Sequence, residues 1–231
     1  MESGSIESDV LAQTRPALVI IDEQRRHLDP DIAYHPVTPA EEARRVLTRT
    51  STALSAARTH QIPVVHVITY ARPPYKGRLT DLENPFWNSQ GEIPGSGGVR
   101  RQPSRNIDGS PYSEIMPEVT PTDDEPRVVK RRYSGFYGTD LDVVLRALRA
   151  DTVVLAGVNT NNCVMATAFD AHARDLAVVV LEDACASMNG PDFHRWALRQ
   201  IDAALGTTLT VAAFCEALQR RAQASHRSGR E

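Results

Sequence analysis

The feature that most constrains this chain is a repeated change of period: short β-branched, apolar runs alternate with segments whose apolar residues recur every three or four positions. Residues 17–21 (ALVII) read as a strand. Beyond them Ala43, Val46, Leu47, Thr50, Leu54 and Ala57 share one helical face, in a segment opened by Thr38, Pro39 and Glu41. Residues 62–69 and 127–129 predict further strands. Leu141, Val144, Leu145 and Leu148 mark a helix over 140–149, with Thr139 as its N-cap. The alternation then repeats three times: strand 152–156 and helix 163–174, strand 176–181 and helix 193–204, strand 208–210 and a last helix with Val211, Phe214, Cys215 and Leu218 inward. Near-continuous apolar strands separated by amphipathic helices predict a mainly parallel sheet covered on both faces, a three-layer, doubly wound α/β domain.

One domain is expected over 14–221. Residues 71–125 break the rhythm, because they hold about half of the chain's 15 prolines. Tyr75, Phe86, Trp87 and Tyr112 make this interval too aromatic for a plain linker, so it reads as an irregular lid or inter-subunit arm. Residues 1–13 and 222–231 read as disordered tails. With 26 Lys and Arg against 29 Asp and Glu, and no basic stripe interleaved with aromatics, nucleic acid is not an expected partner. No apolar run approaches a membrane span and the polar start does not resemble a secretory leader, so a cytoplasmic location without membrane contact is expected. Cys163, Cys185 and Cys215 show no C-x-x-C spacing, and the seven histidines show no ligand spacing; no metal and no cofactor are expected.

In open α/β sheets reactive groups gather beyond the carboxyl ends of the strands. Asp22 ends the first strand, Lys130 the third, and the turn from Gly157 to Asn162 leads from the fourth into Cys163. A cysteine opening a helix meets the positive end of the helix dipole, and a neighbouring ammonium lowers its pKa further, which predicts an available thiolate. A carboxylate beside it can shuttle protons. Taken singly each residue has a plainer reading: Cys163 as a small core hydrophobe, Asp22 as a turn cap, Lys130 as a solvated strand-end charge.

The stretches ALVIIDEQ (17–24), VVKRRYSGFYGTDLD (128–142), GVNTNNCVMATAFDA (157–171) and VVVLEDACAS (178–187) together resemble the isochorismatase-like cysteine hydrolases over about residues 16–220. The resemblance implies a six-stranded sheet of order 3-2-1-4-5-6 and a catalytic Asp22, Lys130 and Cys163. It also implies a cis peptide at Val158-Asn159 that turns the backbone N–H groups of Asn159 and Cys163 into an oxyanion hole. The usual D-x-Q-N-D-F start is here Asp22-Glu23-Gln24-Arg25-Arg26-His27, so the substrate floor differs. Where nicotinamidases of this family carry Asp-x-His after the second strand, the corresponding stretch here is Thr69-Tyr70-Ala71-Arg72-Pro73-Pro74, which lacks that metal motif.

The expected activity is cysteine-dependent cleavage of a C–N bond in a small linear amide or ureido (N-carbamoyl, biuret-like) compound, through a thioester. Isochorismate-type vinyl ether hydrolysis and a catalytically silent interaction protein of the same fold are the alternatives. Substrate contacts are assigned to Gln24, Tyr70, Phe86, Trp87, Arg132, Asn162 and Gln200, with Tyr75 a weaker candidate. Beyond the small-molecule substrate, the resemblance suggests a homo-oligomer, a tetramer or another even assembly.

Overall fold

A computed structural model describes residues 11, 13–73 and 105–228, with side chains through 224. Six parallel strands form one sheet: β1 (Pro16–Ile21), β2 (Val64–Thr69), β3 (Arg127–Lys130), β4 (Thr152–Val158), β5 (Ala177–Ala186) and β6 (Thr207–Leu209). Their order is β3-β2-β1-β4-β5-β6, the expected one. The reversal of direction falls between β1 and β4, the central pair, and Asp22 stands at the carboxyl end of β1.

The period of two along each strand sorts side chains between two cores. Leu18, Ile20, Val154, Ala156, Val179 and Leu181 pack under α2 (Glu41–Thr59) and α6 (Val211–Ser228), which follow the short α1 (Arg25–Leu28) and close the chain, respectively. Ala17, Val19, Ile21, Val153, Leu155 and Val180 pack on the opposite face, under α3 (Leu141–Ala147), α4 (Met165–His172) and α5 (Pro191–Ala204). In α2 the buried residues Val46, Leu47, Thr50, Ala53, Leu54 and Ala57 are the three-and-four-spaced face seen in the sequence.

Several boundaries differ from the sequence reading. Strand β5 continues through the Glu182-Asp183-Ala184-Cys185 stretch, because a register shift against β4 lets pairing resume at Gly157–Cys185. Cys185 is therefore a fully buried strand residue and not part of a loop. Cys163 lies in one turn of π-helix, Thr160–Val164, ahead of α4. The last helix runs on to Ser228, past the point at Ala222 where a disordered tail was expected. Over residues 105–125 of the irregular interval, two short 3₁₀ turns form, Pro111–Ser113 and Pro117–Val119. Tyr75, Phe86 and Trp87 lie outside the described residues, as do most of the residues called an amino-terminal tail. Among the described residues no helix is long and apolar enough to cross a membrane.

Two backbone features bring the strand ends together. At Gly157 the φ of +112° and the closeness of β1, where a Cβ would fall 2.0 Å from the Ile21 carbonyl oxygen, admit only glycine. Asp22 itself sits at a φ of 53°, a left-handed conformation that non-glycine residues seldom adopt and that concentrates at functional sites.

The next residue, Glu23, is buried under α2 with its Oε1 accepting a hydrogen bond from Thr50 at 2.5 Å and its Oε2 unpaired. Burial raises its pKa to about 8, so the carboxyl is held as the neutral acid near neutrality. An unfolded chain loses that proton near pH 4.5 and the folded chain near 8; between the two, folding takes up a proton and stability falls as pH rises. Glu23→Gln, which keeps the acceptor for Thr50, should raise the melting temperature at pH 8 by several degrees more than at pH 5. An equal shift at both pH values would show that Glu23 is ionised in the fold.

Candidate active site

At the carboxyl edge of the sheet the three sequence-predicted residues meet. The Lys130 ammonium lies 2.6 Å from Asp22 Oδ2 and 3.3 Å from Cys163 Sγ, and its third contact is the Arg132 carbonyl at 3.2 Å. Asp22 and Lys130 are buried, at 0% and 1% exposure, and Cys163 at 5%. Burial works against the ammonium, yet Asp22 and then Cys163 outweigh it, so the Lys130 pKa is raised and the group stays charged.

The thiol differs from the sequence expectation. Burial pushes Cys163 up to about 12; the pull of Lys130 is opposed by the Asp22 carboxylate. A charged lysine already paired with a carboxylate presents little net field to the sulfur, so Cys163 rests as a thiol and not as a ready thiolate.

The turn that carries the sulfur is anchored on every side. The Val158–Asn159 peptide is cis. The Asn159 carbonyl accepts the N–H groups of Asn162 and Val164, both at 3.1 Å, and its side-chain Oδ1 accepts the Met188 N–H at 2.8 Å. Thr160 Oγ1 meets His194 Nδ1 at 2.8 Å, and Ser187 Oγ donates to Asn161 Oδ1 at 2.6 Å. Below the cysteine, Thr167 Oγ1 donates to the Cys163 carbonyl at 2.7 Å and accepts the Gly135 N–H at 2.9 Å, tying the turn to the loop after Lys130. The anchors to Met188, His194, Ser187 and Gly135 escaped the sequence reading because each joins residues far apart in the chain.

The expected substrate contacts divide. Asn162 is half-buried beside the nucleophile, and Tyr70 follows β2 with the Arg131 guanidinium 5.5 Å from its ring centre. Arg132 supplies its carbonyl to Lys130, while its Nη1 donates to the Arg131 carbonyl. Gln24 does not face a ligand: its Nε2 donates to the carbonyls of Thr69 (3.0 Å) and Ser113 (2.7 Å), and its Oε1 accepts the Thr69 N–H (2.9 Å). Its polar groups are spent bracing the first strand end against β2 and the irregular interval. Gln200 is half-buried on α5, six residues beyond His194, where that helix meets Thr160 of the turn.

Among the described residues no three His, Cys, Asp or Glu side chains come together to hold a metal ion. His66 is fixed by Glu125 at 3.0 Å, as a buried histidine needs to be.

Comparison with known proteins places this geometry in context. The ureidoacrylate amidohydrolase RutB of Methylobacterium radiotolerans is 34% identical over 177 residues, which cover 75% of this chain and 67% of that protein. A cysteine hydrolase from Pseudomonas syringae pv. phaseolicola 1448A superposes with a TM-score of 0.75 at 26% identity, covering 90% of this chain and 93% of that one. An N-carbamoylsarcosine amidase from Thermoplasma acidophilum superposes with a TM-score of 0.65 at 28% identity, over 85% of this chain and 96% of that one. Residues 16–213 match the isochorismatase domain, and the chain belongs to the isochorismatase family of hydrolases.

Proposed function

We propose that this hydrolase is a cysteine-dependent amidohydrolase that cleaves a C–N bond of a small ureido or linear amide compound, with Asp22, Lys130 and Cys163 as its catalytic residues. The observation that carries the reading is the buried contact of one ammonium with both a carboxylate and a thiol. Similarity to a ureidoacrylate amidohydrolase and to an N-carbamoylsarcosine amidase supports the ureido class.

Because the thiol rests protonated, attack needs a base at the moment the C–S bond forms. Asp22 takes the thiol proton as sulfur adds to the carbonyl carbon. Lys130 pairs with Asp22 and offsets the negative charge that passes between carboxylate and sulfur. The backbone N–H groups of Asn159 and Cys163 hold the oxyanion of the tetrahedral adduct. Asp22 then delivers the proton to the leaving nitrogen, the C–N bond breaks, and a thioester remains. A water deprotonated by Asp22 adds to the thioester, Cys163 leaves with the returned proton, and the acid or carbamate departs; a carbamate breaks down to ammonia and carbon dioxide.

Ammonia release from a panel of ureido compounds and primary amides should be measurable with the native chain and absent with Cys163→Ala. Turnover of a vinyl ether without ammonia would favour the ether-hydrolase alternative, and no turnover of any kind the silent interaction protein. Asp22→Asn and Lys130→Ala should each lower kcat by about a hundredfold or more with unchanged circular dichroism. Asp22→Asn at near-native kcat would remove Asp22 from the proton path.

Alkylation of Cys163 by iodoacetamide should accelerate about tenfold per pH unit from 7 to 9, since only the thiolate reacts and the thiol pKa is about 12. A rate already level across that range would indicate a resting thiolate. Activity should survive dialysis against EDTA, because residues 69–74 lack the Asp-x-His motif. A loss restored by zinc, iron or manganese would reveal a metal requirement.

A further inference from the structure

The carboxyl end of β2 lies between the strand ends that carry Asp22 and Lys130, and the chemistry above does not employ it. Thr69 is the last residue of β2. It pairs in register with Lys130, and its Oγ1 donates to the Lys130 carbonyl at 3.1 Å. The period of two puts the Thr69 side chain on the same sheet face as Val65 and Val67, whose core includes Cys163. Lys130 shares that face with Val128, and its stem passes the end of β2 to reach Asp22.

A segment of the irregular interval pairs with this strand end. The Ala71 N–H donates to the Asn106 carbonyl at 2.7 Å, the Asp108 N–H donates to the Ala71 carbonyl at 3.0 Å, and Ala71 and Ile107 form a parallel bridge. Asn106 is thereby held in place, buried at 4% exposure. Its side chain is fixed as well. Nδ2 donates to the Thr69 carbonyl at 2.6 Å, beside the Gln24 Nε2 that donates to the same oxygen at 3.0 Å. Two acceptor oxygens cannot share such a contact, so the amide has one orientation, with Nδ2 on Thr69 and Oδ1 turned from it. That Oδ1 is buried and accepts no hydrogen bond. A buried amide oxygen without a partner costs about what a lost hydrogen bond costs, and native proteins leave few of them. Gln24 is the contrast. Its amide meets the same strand end and is satisfied at both atoms, Oε1 by the Thr69 N–H and Nε2 by two carbonyls. One amide braces the strand end, and the other keeps an acceptor open beside it. An amide oxygen only accepts, so the missing partner is a donor, which a urea or amide substrate supplies in its N–H groups.

We propose that Asn106 Oδ1 accepts an N–H of the substrate's urea or amide group, which makes Asn106 a specificity-determining residue that favours N–H-bearing substrates over esters of the same acyl chain. The identity of the donor rests on the amidohydrolase reading, while the open acceptor stands on the fixed, buried amide of Asn106 alone.

The test compares the native chain with Asn106→Ala and Asn106→Leu on n-propylurea and butanamide, followed by ammonia release, and on methyl butanoate, followed by acid release. Calorimetric binding of n-propylurea is measured in a Cys163→Ala background with and without Asn106→Ala. The ester has no N–H to offer, so losing the acceptor should affect it little. Asn106→Ala should lower kcat/KM for n-propylurea and butanamide about tenfold relative to its effect on methyl butanoate, and weaken n-propylurea binding by a similar factor. A residue that only braces the strand end would lower all three compounds together, and that result would overturn the proposal. Asn106→Leu, which keeps the volume and loses the amide oxygen, decides by the same criterion should Asn106→Ala fail to fold. Cleavage of the ester alone by the native chain, or no binding of n-propylurea, would also overturn it. Asn106-dependent binding of n-propylurea without turnover of any of the three compounds would support the acceptor site and overturn the amidohydrolase reading instead.

Discussion

The ion pair between Lys130 and Asp22 is the interaction on which the rest of the site depends. An ammonium at 1% exposure is tolerable only if a carboxylate meets it, and removing either partner leaves an uncompensated buried charge. The sheet order makes that meeting demanding. Lys130 ends β3, the edge strand, and Asp22 ends β1, so β2 lies between them and the strand ends are about 10 Å apart at ordinary strand spacing. A side chain with a long stem is needed to cross β2, which lysine's four-carbon chain supplies. Asp22 answers by leaving the strand in a left-handed conformation. On the far side Gly157 lets β4 close against Ile21, bringing the turn that carries Cys163 within reach of the same ammonium.

The paired charge also shapes the proposed chemistry. A lone lysine beside Cys163 would favour a thiolate; a lysine shared with Asp22 leaves the sulfur protonated and makes Asp22 the natural recipient of its proton. On that reading the site transfers a proton and does not hold a preformed nucleophile. That suits unactivated ureido or amide carbonyls, whose leaving nitrogen needs the proton back.

Around this centre the same stretch of chain serves different ends within a few residues. Asp22 meets the Lys130 ammonium, Glu23 turns under α2 as a neutral acid against Thr50, Gln24 braces β2 and the Ser113 turn, and Arg26 donates to His27.

The pattern of apolar residues alone determined the three layers and the succession of strands and helices, because periods of 2 and 3.6 are local properties that burial enforces directly; the strand order came from the resemblance. Motif order likewise identified Asp22, Lys130 and Cys163, since each ends or follows a recognisable strand. Only the tertiary structure decided what those groups are electrostatically. The Cys163 pKa reflects burial and a carboxylate 141 residues away in sequence, not the local helix start that suggested a thiolate. Gln24 looked like a pocket residue until its three hydrogen bonds to Thr69 and Ser113 were visible. The departure at Arg26-His27 was legible as a break in pattern, but that His27 meets both Arg26 and the His35 carbonyl is a fact of packing that no one-dimensional spacing contains.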